Sequence, residues 1–197
     1  MDVLTHAIEA LVSTGANDFS DALAEKAIAL TWRNLPEVFR DEKNLQARSH
    51  MHNASCMAGM AFNSAGLGLV HGMAHAIGGM LHIPHGKINA MLLPLVIEHN
   101  AERSPRAATR YLTCAAIMGI RAATPQQTLD ALVSGIRDLN RRFAIPATLK
   151  ELGTDMAHFA SLRASLTAAA LADGCTATNP SEPVPPDVHG LLTRIAG

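Results

Sequence analysis

Apolar residues recur at helical spacing in one segment of the chain after another, and short clusters rich in Gly, Pro and Asn separate these segments. In the first segment, for example, Val3, Ala7 and Leu11 share one face of residues 2–13. Aromatic residues make up only 4% of the chain, and strand-forming residues are sparse beside Ala, Leu and Met, which favour helices. The sequence therefore predicts a mainly helical fold.

The breakers and caps give approximate bounds for each helix. Helices are predicted over residues 2–13, 18–35, 44–65, 69–81, 88–100, 107–119, from 125 onward, 155–172 and from 187 onward. Asp18 or Ser20 is expected to cap the second helix, and Pro36 is expected to end it. Residues 83–86 are expected to form a turn, and the proline-rich residues 179–186 a loop. Without an internal repeat or a long linker, residues 1–197 are predicted to form one all-α, helical bundle-like domain.

Charge and cysteine usage exclude several classes of function. The 16 basic and 17 acidic residues leave a net charge of -1, so no broad basic face is available to bind nucleic acid. The three cysteines form no CxxC pair, which argues against a disulfide framework or a thiolate zinc site and favours a reducing, cytoplasmic location. No window is apolar enough for a membrane span, and the N-terminus lacks the features of a secretion signal.

Histidines and one aspartate occur at spacings that suit a metal site. Asp2 and His6 are four residues apart on one predicted helix, His71 and His75 are four apart on another, and His85 follows a turn. Imidazole and carboxylate ligands suit a borderline divalent ion such as iron(II), zinc, nickel or cobalt. Each residue also has a simpler interpretation: Asp2 can favour the helix dipole, His6 can be half-exposed, and His85 can be a turn residue.

The glycines of residues 66–79 are open to two interpretations, since they can ease helix packing or let a ligand approach the backbone. No GxGxxG follows a strand and no GxxxxGK[ST] occurs, so the chain carries no phosphate-binding loop of its own. Any nucleotide must therefore be bound by residues outside this chain.

Three segments carry a resemblance to a known family: MDVLTHAIEA at 1–10, MHNASCMAGMAFNSAGLGLVHGMAHAIGG at 51–79 and IPHGKINAMLLP at 83–94. In these segments the chain resembles the iron-containing alcohol dehydrogenases, and weaker similarity extends over the rest of it. The resemblance covers only the C-terminal, metal-binding half of the dehydroquinate synthase-like fold of that family. The family's N-terminal nucleotide-binding domain is expected to precede Met1 and is absent from this chain.

The resemblance implies a role for five residues. Asp2, His6, His71 and His85 are expected to be the four metal ligands, and His75 is expected to face substrate and nicotinamide as a catalytic proton relay or an orienting residue. The expected cofactors are Fe²⁺, with zinc left open, and NAD(P) bound with the missing domain. The expected partners are a small alcohol and its aldehyde or ketone, and a homo-oligomer is left open.

Three functions are compatible with these residues. The favoured one is a metal-dependent domain of an alcohol dehydrogenase, and the second is a non-catalytic helical remnant that binds metal or a partner helix. A metal hydrolase ranks last because no obvious general-base carboxylate accompanies the histidines. Glu9 is the nearest candidate for that base and is interpreted as a surface residue.

Overall fold

A computed structural model describes all 197 residues and contains only helices and connecting segments. The helices are α1 (Asp2–Val12), α2 (Asp18–Arg40), α3 (Leu45–Ala65), α4 (Leu69–Leu81), α5 (His85–Arg103), α6 (Pro105–Ile117), α7 (Pro125–Arg142), α8 (Met156–Ala172) and α9 (Pro185–Ala196). A short 3-10 helix spans Thr176–Thr178. The predicted all-α fold is confirmed.

Helix α1 lies at the centre of the molecule, in contact with α2, α3, α5 and α6. Its residues from Leu4 to Val12 are almost all buried, including the polar Thr5 and Glu9. They belong to one continuous core of 42 buried apolar residues that draws on every α-helix. Because α1 is central, the side chains near its N-terminus lie beside helices that follow later in the chain.

Helix α2 differs from its prediction at both ends. Its N-cap is Asn17, whose side chain accepts the backbone N–H of Ser20 while the Ser20 hydroxyl accepts the Asn17 N–H, so neither Asp18 nor Ser20 is the cap itself. Pro36 does not end the helix, which continues to Arg40. Pro36 removes only its own N–H, and the turn after it is closed by the hydrogen bond from the Asp41 N–H to the Glu37 carbonyl at 2.9 Å. The Phe39 ring in this turn also contacts the Phe143 ring, at 4.6 Å between ring centroids.

Helix α5 begins three residues earlier than predicted, at His85 rather than Ile88. Pro84 is the N-cap residue, and its carbonyl accepts the backbone N–H groups of Lys87 and Ile88 at 3.0 and 3.3 Å, which closes the first turn. The expected turn at 83–86 is therefore wrong in part, because His85 is already helical. Smaller shifts of the same kind place the start of α6 at Pro105 and that of α9 at Pro185.

Helix α4 packs between α5 and α8, and it carries two of the histidines singled out above. It is largely apolar, and eight of its residues, from Leu69 to Ala74 and then Ala76 and Ile77, are buried. No helix of the chain combines the length and the hydropathy needed to cross a bilayer.

Candidate metal centre

The N-terminal turns of α1, α4 and α5 bring four polar side chains together. One potential ligand atom from each of Asp2, His6, His71 and His85 lies within 4.8 Å of the other three. The chain thus folds so that residues 2, 6, 71 and 85 share one centre, although α4 and α5 are separated from α1 by more than fifty residues of sequence. Gly86 permits this approach, because a Cβ atom there would lie 3.3 Å from the Asp2 Cβ.

The contacts of the Asn89 side chain show that the centre holds more hydrogen-bond acceptors than Asn89 has hydrogens to donate. Its Nδ2 lies 2.6 Å from Asp2 Oδ1, 3.1 Å from His71 Nε2 and 3.0 Å from His85 Nε2. An amide group has two hydrogens and cannot satisfy three acceptors at once, so one lone pair stays unpaired. A cation among these atoms would supply what is lacking, and three imidazoles with one carboxylate suit a divalent ion of the iron and zinc type.

His6 is enclosed by two rings. Its imidazole stacks on Phe62 at 4.7 Å and on His71 at 4.5 Å between ring centroids. Burial, reinforced by the neighbouring His71, lowers the pKa of His6 to about 4. Burial also lowers the pKa of His85, and the nearby Asp2 offsets only part of that effect. These two rings are therefore neutral at physiological pH, which is the form that binds metals.

The pKa of the Asp2 carboxyl group is subject to opposing effects. Burial alone would raise its pKa, but the hydrogen bond from Asn89 and the proximity of His6 outweigh burial, and the pKa of Asp2 is lowered. Solvent reaches the site from one side, since the side chains of Asp2 and His85 are 40% and 39% exposed while that of His71 is 1% exposed. A ligand can therefore reach the four side chains from that side.

His75 lies on the open side of the centre. Its ring stacks on His85 at 5.1 Å between centroids, its side chain is 45% exposed, and its Nδ1 lies 2.9 Å from Asp173 Oδ2. The backbone N–H of Cys175 donates to the other Asp173 oxygen at 2.8 Å. Burial would raise the pKa of Asp173, but these hydrogen bonds outweigh burial and lower it. The carboxylate therefore stays ionised and fixes the His75 ring.

Cys175 is close enough to Asp173 and His75 for the three to be considered as a second ligand set. Burial and the neighbouring carboxylate raise the pKa of the Cys175 thiol to about 12. The thiol is therefore protonated at neutral pH, and metals bind the thiolate. This group is better described as a hydrogen-bond network that holds His75.

The interpretation of Glu9 as a surface residue is wrong. Its residue exposure is 3%, and its carboxylate lies 2.5 Å from His71 Nδ1. Glu9 lies three residues after His6 and seven after Asp2, which places all three on one face of α1. This spacing indicates that Glu9 shares a helix face with the two candidate ligands, but it does not indicate what that face contacts.

Asn89 and Asp173 were also missed. Asn89 lies four residues after His85 and shares its face of α5, but this spacing is informative only once His85 is known to be helical. Asp173 lies 98 residues from His75, and no local pattern joins them.

The sequence profile described as "Fe-containing alcohol dehydrogenase family, C-terminal" matches residues 1–196. The chain belongs to this family.

Members of the Fe-containing alcohol dehydrogenase family are similar to it over almost its whole length. The 1-propanol dehydrogenase PduQ of Salmonella typhimurium is 45% identical over 197 residues, which cover 99% of this chain and 53% of that protein. Alcohol dehydrogenase 4 of Saccharomyces cerevisiae is 43% identical, with 98% and 48% covered. The NADPH-dependent butanol dehydrogenase of Clostridium saccharobutylicum is 40% identical, with 92% and 46% covered.

Solved structures agree with this assignment. The crystal structure of a 1,3-propanediol oxidoreductase superimposes with a TM-score of 0.90 at 36% identity, over 99% of this chain and 50% of that one. The iron-containing alcohol dehydrogenase of Thermococcus thioreducens gives a TM-score of 0.87 at 37% identity, over 98% and 48%. The chain spans about half the length of these relatives, and its fold corresponds to their C-terminal domain.

Proposed function

We propose that residues 1–197 form one metal-binding catalytic domain of an iron-dependent alcohol dehydrogenase, which interconverts a small alcohol and its aldehyde or ketone. The observation that carries this proposal is the convergence of Asp2, His6, His71 and His85 in a chain of the Fe-containing alcohol dehydrogenase family. NAD(P) is bound by a domain outside this chain, because the chain has no phosphate-binding loop. Iron is preferred to zinc on the family assignment.

An iron(II) ion held by these four residues would act as a Lewis acid on the oxygen of the alcohol or aldehyde. Residues of this chain would control the access of substrate to the ion and the exclusion of water. The side of the centre formed by Asp2 and His85 is open to solvent, so the substrate enters there. The buried ring of His71 and the half-buried ring of His6 restrict water on the opposite side.

His75 is proposed to accept and donate the proton of the substrate hydroxyl. Because Asp173 accepts the hydrogen of His75 Nδ1, the Nε2 atom is left to accept a proton from the alcohol hydroxyl or to return it to the reduced aldehyde. The stacking of His75 on His85 places this ring beside the four-residue centre, on its exposed side. Its position suits contact with both substrate and nicotinamide.

Iron binding by the purified chain tests the metal site. Anaerobic equilibrium dialysis should show one Fe²⁺ per wild-type chain, and His71→Ala and His85→Ala should each lose affinity by more than the roughly 10–100-fold that loss of a residue behind a metal ligand costs. His189→Ala removes an exposed histidine on α9, far from the centre in sequence, and should bind iron like the wild type. Unchanged iron content in both site variants would contradict the proposal.

The alternative function, a helical module that binds metal without catalysis, also predicts iron binding. The two are separated by an activity assay on a protein that joins this chain to its nucleotide-binding domain. The dehydrogenase proposal predicts that NAD(P)H forms from a small primary alcohol, and that His75→Ala lowers kcat by about 10²–10⁴-fold while iron is still bound. Iron binding without NAD(P)H formation would favour the non-catalytic module.

A further inference from the structure

Glu9 is a buried carboxylate that contacts the proposed metal centre from behind. Its Oε2 lies 2.5 Å from His71 Nδ1, and its Oε1 accepts the backbone N–H of Val70 at 2.7 Å. Both contacts link α1 to the first turn of α4. Glu9 therefore reaches the ring of His71 on the side away from the Asp2 and His85 side chains.

No lysine or arginine lies within ion-pair distance of this carboxylate, and its one ionisable neighbour at that distance is His71. Burying a carboxylate without a cationic partner is costly unless hydrogen bonds satisfy it. The two hydrogen bonds and the N-terminal end of α4 offset that cost. A carboxylate retained there, at 3% exposure, acts on His71 rather than on solvent.

The fold makes room for Glu9 at Gly68. A Cβ atom on Gly68 would lie 2.8 Å from Glu9 Oε1 and 2.9 Å from Asn179 Oδ1, closer than a real Cβ atom can come. Asn179 Oδ1 accepts the Leu69 N–H at 3.0 Å, so two side chains from distant segments occupy the start of α4. Glycine is thus required here for close approach and not for its backbone angles, which are extended.

Two contacts define which nitrogen of His71 carries hydrogen. The carboxylate of Glu9 can only accept, so Nδ1 donates to it. The amide nitrogen of Asn89 can only donate, and it faces Nε2 at 3.1 Å. Both contacts require hydrogen on Nδ1 and a lone pair on Nε2, which is the nitrogen that points into the four-residue centre.

We infer that Glu9 is a positioning residue that fixes His71 as the Nδ1–H tautomer and aims its Nε2 lone pair at the metal. The inference rests on the proposed metal site and adds a carboxylate–histidine–metal arrangement to it. Such a partner raises the basicity of the ligating nitrogen and fixes the ring before the ion arrives. The buried carboxylate that follows His6 by one helical turn is thereby explained.

The tautomer can be measured in the wild-type chain without any substitution. In the metal-free protein at pH 8, the ¹⁵N chemical shifts of the His71 ring should identify the Nδ1–H tautomer as the dominant form. A dominant Nε2–H tautomer would overturn the inference. This readout does not depend on activity, and a merely structural role of Glu9 would leave the tautomer undetermined.

Glu9→Gln is the variant that tests the consequence for metal binding. If the Gln oxygen faces His71, the Gln NH2 group faces the Val70 N–H, so that two donors meet and the hydrogen bond is lost. If the amide group faces His71, hydrogen must move to Nε2 and the lone pair for the metal is lost. We expect the Kd for Fe²⁺, measured anaerobically by chelator competition, to rise about 10–100-fold, and the Nε2–H tautomer of His71 to become populated.

Leu132→Ala is the matched control for lost stability. Leu132 is fully buried on α7 and takes no part in the centre, so this variant should be destabilised yet bind Fe²⁺ with wild-type affinity. If the wild type binds Fe²⁺ and Glu9→Gln binds it equally well, the inference is wrong while the metal site stands. If the wild type binds no Fe²⁺, the proposed metal site is wrong and the inference falls with it.

Discussion

At the scale of single residues, His6 shows what the centre requires of its side chains. Its ring lies between Phe62 and His71, and burial depresses its pKa to about 4. A ring kept neutral by its surroundings needs to lose no proton before it binds a cation. The same burial makes the metal-free chain sensitive to acid, because protonating this ring is far easier in the unfolded chain.

The pH dependence of the free energy of unfolding tests this sensitivity to acid. The folded-state pKa of His6 is about 4 and lies below its ordinary value of 6.5, so between these values the unfolded chain binds more protons. The stability contributed by His6 is fully present above pH 6.5 and is lost as the pH falls towards 4. We expect a loss of about 1–2 kcal/mol, because one pKa unit corresponds to about 1.4 kcal/mol and solvent screens part of the effect.

Urea unfolding of the metal-free chain between pH 7 and pH 4 measures this loss. His6→Gln removes the titrating group, so the free energy of unfolding of that variant should fall less steeply over the same range. His85 still titrates in the variant, and its lowered pKa leaves a residual slope of the same sign. Equal slopes in the wild type and the variant would show that His6 does not contribute.

At the scale of helices, α4 presents one face to the metal centre and packs another against α8. Gly72 is the point of closest packing, since a Cβ atom there would lie 2.0 Å from Thr176 Oγ1 and 3.1 Å from the Ala170 carbonyl oxygen. The Thr176 hydroxyl donates to that same carbonyl at 2.6 Å, so it cannot turn away without losing a hydrogen bond. The position of the helix that carries His71 and His75 depends on this contact.

Two glycine substitutions in α4 form a matched pair. Gly72→Ala should lower the free energy of unfolding by about 1–3 kcal/mol, because the added methyl group overpacks the contact with Thr176. Gly79→Ala lies in the same helix with open space around its Cβ position, and it should raise stability by about 0.5–1 kcal/mol through helix propensity alone. Chemical denaturation measures both. A destabilising effect of equal size in the two variants would mean that helix packing at Gly72 is not limiting.

At the scale of the whole molecule, residues near the C-terminus hold the start of α4 in place. Asn179 is 5% exposed, and its Oδ1 accepts from the Leu69 N–H and from Asn100 Nδ2 at 3.0 and 3.1 Å. Its Nδ2 donates to Asn100 Oδ1 at 2.8 Å and to the Ser181 carbonyl at 2.7 Å. One amide thus joins α4, α5 and the proline-rich segment, beside the Glu9 carboxylate.

Asn179→Ala should therefore lower the free energy of unfolding by more than the removal of a buried amide with a single hydrogen bond does. At about 0.5–1.5 kcal/mol for each hydrogen bond, we expect the free energy of unfolding to fall by about 2–4 kcal/mol and the affinity for Fe²⁺ to fall with it. Asn34→Ala is the control: Asn34 is 8% exposed, makes a single hydrogen bond to Leu30 on its own helix, and should cost about 1 kcal/mol without changing iron affinity. Equal stability losses in the two variants would contradict this interpretation.

Local sequence was sufficient for the helices and for most of their bounds, because a helix and its buried face are encoded by spacing within a few residues. It failed at Pro36 and at His85, where a hydrogen-bonded helical turn forms despite the local signals that predict a helix end or a loop. The motifs at residues 1–10, 51–79 and 83–94 also indicated the family, which the match over residues 1–196 confirms.

Only the tertiary structure decided what surrounds the candidate ligands. Asp173 lies 98 residues from His75, Asn89 lies 87 from Asp2, and Glu9 lies 62 from His71, so no local pattern relates them. Whether Glu9 faced solvent or the core depended on which helices cover α1, and its periodicity alone could not settle this. Spacing along the chain fixes which residues share a helix face, whereas long-range packing determines what that face meets.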